Sequence, residues 1–146
     1  MLQDLGVGER MIDFKINISQ LDEEWLKLPQ QYYTITSKLA VVRTALEKAK
    51  ADLDHTKAQL DADIRSNPDV YGVTGDKLTE PRIERLIALQ PEYKNALANY
   101  LQLRKKYEIL RSVQSALEMK KAALENLVKL YASQYFMIEG LPHRRG

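Results

Sequence analysis

Residues 92–136 contain neither Gly nor Pro and are rich in Ala, Leu, Lys, Glu and Gln, all strong helix formers. With Tyr93 at position a of a heptad, the a row is Tyr93, Tyr100, Tyr107, Gln114, Lys121, Val128 and Tyr135. The d row is Ala96, Leu103, Leu110, Leu117, Leu124 and Tyr131. A d row so consistently apolar requires a partner helix to cover it. One helix over this stretch would be on the order of 65 Å long, too long to be enclosed by a compact globule of this size. Something else in the fold must run beside it.

The partner is legible upstream. Tyr32, Ile35, Leu39, Val42, Leu46, Ala49, Leu53, Thr56 and Leu60 alternate spacings of three and four, a second coiled-coil stripe. Ser19 is the expected N-cap, with Asp22, Glu23 and Glu24 in the first turn, where the helix dipole favours acids. Pro29 is expected to end or kink this first stretch. Asn67-Pro68 closes the arm, and residues 67–78, with Gly72 and Gly75, read as a loop. Thr79, Glu80 and Pro81 restart the helix, with Pro91 as a kink or a first-turn residue.

The fold class expected is therefore all-α, a long antiparallel helical hairpin in one domain over 1–146. Its parts are an N-terminal arm (1–18), a first helical arm (20–66), the loop (67–78), a second helical arm (79–136) and a tail (137–146). Within the N-terminal arm Ile12, Phe14, Ile16 and Ile18 alternate with Asp13, Lys15 and Asn17, a half-buried strand pattern over about 11–18. A lone strand needs a partner for its backbone groups. The candidates are the short piece 137–141 of the same chain and the same segment of another subunit. The second is preferred, which makes Ile12, Phe14, Ile16 and Ile18 oligomerisation residues and the protein a homo-oligomer.

Composition narrows the function classes. Net charge is only +2, yet residues 1–76 hold 9 Lys and Arg against 13 Asp and Glu, and residues 77–146 hold 13 against 7. That asymmetry gives one basic half. There is no Cys, and the two His, His55 and His143, lack companions at metal-ligand spacing. No nucleophile has a base at a plausible spacing and no phosphate loop is present, so neither an enzyme nor a cofactor is expected. Without a leader pattern or an apolar run of membrane length, a cytoplasmic protein with no membrane partner is expected.

Tyr93, Tyr100 and Tyr107 could form a base-stacking ladder, but at a positions they read first as core residues with wet hydroxyls. Arg104-Lys105-Lys106 is the densest basic cluster. Lys106 and Lys120 lack acidic neighbours at helical spacing, and with Arg111 they could form a basic edge. The tail His143-Arg144-Arg145 is also basic.

Element order and local residues together resemble a known family. Leu60-Asp61-Ala62-Asp63-Ile64-Arg65 is followed by Asn67-Pro68, Tyr71-Gly72 and Lys77-Leu78-Thr79-Glu80. Then come Pro91-Glu92-Tyr93 and the run from Leu117-Glu118-Met119-Lys120 to Lys129-Leu130, with Tyr135-Phe136 beyond it. This pattern, over roughly residues 30–136, resembles the UvsY-like recombination mediators of bacteriophages. The resemblance implies single-stranded DNA binding, ring-like homo-oligomers, and partnership with a phage recombinase and a single-strand-binding protein in the host cytoplasm.

One departure bears on the site. The best-known members of the family carry a basic-Ala-basic triplet after a Leu at the end of the first long helix, where this chain has Asp61-Ala62-Asp63. The expected DNA contacts accordingly shift to Lys57, Arg65, Lys77, Arg82 and Arg85 around the loop, or to Arg104, Lys105, Lys106 and Arg111 on the long helix. The competing reading is a structural or scaffold-like helical oligomer that ignores DNA.

Overall fold

The computed structural model describes residues 12–75 and 77–135. Among them lie three α-helices, α1 (Leu21–Ser66), α2 (Glu80–Leu89) and α3 (Pro91–Ala132), with short 3-10 turns at Ile18–Gln20 and Pro68–Tyr71. The chain divides into two compact units, residues 1–40 with 108–146, and residues 41–107. Helices α1 and α3 each contribute to both.

In the first unit α1 and α3 run antiparallel, as the side-chain pairs Glu24–Lys120 and Tyr32–Glu118 require. Leu28, Ile35 and Leu39 of α1 and Leu110, Leu117 and Leu124 of α3 are buried in its interior. Full burial of each such side chain contributes about 1.5–3 kcal/mol relative to exposure. The d row is thus met through Leu124.

The a row drifts. Lys121, Val128 and Tyr135 are exposed, as is Tyr131 of the d row, while Val113, Lys120 and Leu127 turn inward in their place. The seam of α3 from Leu110 to Leu127 thus runs through the d row and the residue three after each d position, Leu110 with Val113, Leu117 with Lys120 and Leu124 with Leu127. Gln114 is half-buried, with its Nε2 3.5 Å from the Tyr32 hydroxyl.

In the second unit Val42, Ala49 and Ile64 continue the α1 stripe, with Leu46, Leu53, Thr56 and Leu60 half-buried. At the far end of this stripe Ile64, Ile83 and Ile87 form a small core, covered by Leu60, Tyr71, Leu78, Leu86 and Tyr93. The turn Pro68–Tyr71 ends at Gly72, which takes a left-handed φ of 77° and donates its N–H to Asp69 O at 3.1 Å. A side chain there would be strained, which is why Gly suits the position.

Several expectations are corrected. Met11 lies outside the described residues, and residues 12–17 form no strand: no second strand exists among the described residues to pair with them. Ile12 and Ile16 are half-buried, Phe14 is 44% exposed, and Ile18 lies in the 3-10 turn. Ser19 lies inside the 3-10 turn that leads into α1, and Asn17 caps that turn: its Oδ1 accepts from Ser19 N at 3.1 Å and from Ser19 Oγ at 2.6 Å.

Pro29 does not end its helix, because α1 runs through it from Leu21 to Ser66. Apolar burial on both sides, at Leu28 and Ile35, outweighs the one backbone bond that proline forfeits. Tyr32 is 37% exposed, and Gln31 takes its place on the seam. The second arm is two helices, since Gln90 is extended with ψ 136° and Pro91 opens α3. Helix α3 stops at Ala132, short of 136, where Gln134 turns left-handed with φ 56°. The piece 137–141 lies outside the described residues.

Candidate nucleic-acid interface

The end of α1 and the start of α2 are joined by charge as well as by the isoleucine core. Arg65 lies four residues after Asp61 on α1, so their side chains share a face. Arg65 Nε donates to Asp61 Oδ1 at 2.7 Å, and its Nη2 reaches Glu80 Oε1 and Oε2 at 2.7 and 2.8 Å. These carboxylates, Asp61 first and Glu80 second, push the guanidinium pKa further above its ordinary value. Arg65 keeps its charge at any working pH but faces two anions.

Asp63 is engaged too. It accepts from the Tyr71 hydroxyl through Oδ2 and from Asn67 Nδ2 through Oδ1 at 3.1 Å. The Tyr71 phenol is raised above its ordinary pKa, chiefly by that hydrogen bond, with desolvation adding to it. Asp61 and Asp63 therefore tie the end of α1 to the turn and to α2. The acidic triplet has a local structural task.

The other cations expected as contacts in this unit lie on α1, just before or on α2, and on α3. Lys57 on α1, Lys77 before α2 and Arg85 on α2 are exposed, while Arg82 is half-buried and engaged in an interaction of its own. Arg104 and Lys105 on α3 are exposed and Lys106 is half-buried. Consecutive helical residues sit about 100° apart around the axis, so this triplet cannot present one flat patch. Arg111 is exposed in the other unit and has an interaction of its own.

Tyr93, Tyr100 and Tyr107 are all half-buried, as core residues with wet hydroxyls should be, and Tyr93 covers the isoleucine core. Arg43 stands 5.9 Å from the centroid of the Tyr107 ring, a cation–π contact absent from the expectations because the two residues lie on different helices.

Lys120 does not belong to a basic edge. Its side chain is 3% exposed, its Nζ stands 2.8 Å from Glu24 Oε2, and it donates to the Asp13 carbonyl at 2.9 Å. Glu24 Oε2 is close enough for an ion pair yet off the line of a hydrogen bond, so the contact is coulombic in character. A signal for this pair existed. Lys120 lies three after Leu117 and four before Leu124, and Glu24 lies four before Leu28, so both share the seam face of their helices.

Among the described residues no three His, Asp or Glu side chains gather as a metal-ligand set, and no helix is long and apolar enough to cross a membrane. His55 is exposed on α1. No protein-family model, no curated protein and no solved structure matches the chain.

Proposed function

We propose that this chain is a non-catalytic recombination mediator of the UvsY-like kind. It binds single-stranded DNA, helps to load a phage recombinase onto strands coated with single-strand-binding protein, and works as a homo-oligomer. The observation that carries the reading is the engagement of Asp61 and Asp63 by Arg65, Tyr71 and Asn67. The acids at the family's basic triplet are then partly neutralised tip-builders, and exposed Lys57, Lys77 and Arg85 in the same unit remain to meet phosphates. Arg65 is the weakest of the named contacts, because a phosphate would have to displace a carboxylate from it.

Self-association in this reading runs through Ile12, Phe14, Ile16 and Ile18, the first three lying in a segment without a strand partner among the described residues. Sedimentation as a monomer at micromolar concentration would remove that element.

Fluorescence anisotropy with a labelled oligonucleotide at low salt tests the DNA contact. The Lys77→Glu/Arg85→Glu variant is expected to weaken binding strongly, and Arg104→Glu/Lys105→Glu to weaken it less. The reverse order would move the contact to α3. No binding by the wild-type chain would instead favour a scaffold-like helical oligomer.

A further inference from the structure

Arg65, at the end of α1, is engaged through only part of its guanidinium, a group that carries several N–H donors in a fixed plane. Its Nε donates to Asp61 Oδ1 at 2.7 Å, and its Nη2 donates to Glu80 Oε1 and Oε2 at 2.7 and 2.8 Å. Nη2 also lies 3.5 Å from Asp61 Oδ2. Nη1 meets no acceptor among the described residues. A phosphate can therefore reach Nη1 singly. The strong arginine–phosphate contact, however, is a fork of two parallel N–H donors. A guanidinium offers that fork as Nη1 with Nη2 or as Nε with Nη2. Both include Nη2, the nitrogen that Glu80 covers.

The two carboxylates hold Arg65 differently. Asp61 shares its helix at i, i+4 spacing and its side chain is 37% exposed, whereas Glu80 arrives from α2 and is 71% exposed. An ion pair so open to water contributes little to stability. Helix α2 does not depend on it, because Ile83 and Ile87 seat that helix against Ile64. Once released, the Glu80 carboxylate still lies in the first turn of α2, where the helix dipole favours an acid. Glu80 can thus leave Arg65 with the fold intact, while Asp61 keeps the guanidinium oriented.

We propose that Glu80 masks Arg65. A single-strand phosphate forms its fork with this arginine only by displacing Glu80 from Nη2, so this one carboxylate sets how tightly the chain holds a strand. The inference rests on the single-strand-binding reading above and adds to it a residue that limits affinity rather than supplying it.

Glu80→Gln keeps the shape of the side chain and removes its charge. In anisotropy titrations of labelled oligo(dT) it should tighten binding about five- to tenfold, and steepen the log–log salt slope by about 0.7, the increment for one single-strand phosphate. Helix content by circular dichroism should not change. Glu84→Gln, one turn further along α2 at an exposed position, changes net charge equally and should tighten binding about twofold at most. In an Arg65→Gln background the gain from Glu80→Gln should fall to the level of that control. Wild-type binding with no gain in Glu80→Gln would overturn the mask and leave the single-strand reading standing. So would a gain matched by Glu84→Gln, or one that survives in the Arg65→Gln background. No binding by either the wild-type chain or Glu80→Gln would overturn both.

Discussion

The Lys120 ammonium stands 2.8 Å from the Glu24 carboxylate in the interior of the first unit, with side-chain exposures of 3% and 11%. The same ammonium holds the Asp13 carbonyl, so one lysine links α1, α3 and the segment before α1. Removing one partner strands a buried charge. Lys120→Met is expected to destabilise the fold by about 3–5 kcal/mol in urea unfolding. The double variant Glu24→Leu/Lys120→Met should recover most of that loss, because two apolar side chains satisfy each other. A double variant as unstable as the single one would show that the pair is not the coupled unit described.

The tip of the second unit rests on three isoleucines that are at most 2% exposed. Ile83→Ala should lower stability by about 2–4 kcal/mol through lost burial and the residual cavity. Val70→Ser, at a residue 78% exposed in the adjoining turn, should change it by no more than about 0.5 kcal/mol. Thermal unfolding followed at 222 nm compares the two, and equal effects would contradict the assigned core.

The Tyr71–Asp63 bond has a pH signature. The phenol is held above its ordinary value because its O–H donates a hydrogen bond to the Asp63 carboxylate, so the protonated form is favoured in the fold. Its stabilising contribution is complete below the unfolded value of about 10 and is lost as pH rises through the higher folded value. Absorbance titration near 295 nm should resolve one late component among the eight tyrosines. Asp63→Asn should return that component to the ordinary range, and Tyr71→Phe should remove it.

Pro29 sits on an exposed position inside α1 and leaves one backbone bond unmade. Pro29→Ala should therefore stabilise the chain by about 1–3 kcal/mol, the range expected for proline in a helix interior. A loss of stability would mean that the ring is required by its surroundings.

The stripes Ile35–Leu60 and Ala96–Leu124 were legible because burial imposes a period, and a period shows in one dimension. Pro29 was harder to read. A local rule for helix breaking was outweighed by burial on either side of it, which only the tertiary packing supplies. The alternation at Ile12–Ile18 suggested a strand, but a strand depends on a neighbour, and residues 12–17 have none among the described residues. At the tip, Arg65 and Asp61 were readable as an i, i+4 pair. Glu80 and Tyr71 were not, since their approach depends on how the loop folds back. Lys120 was misplaced for the same reason, as its anion lies on the other helix.

The most direct test of the central proposal is the salt dependence of single-stranded oligonucleotide binding by the full chain. A mediator that contacts three or four phosphates should lose affinity with a log–log slope of roughly −2 to −3. Lys77→Glu/Arg85→Glu should make that slope shallower. Absence of binding at low salt, or binding indifferent to salt, would contradict the account.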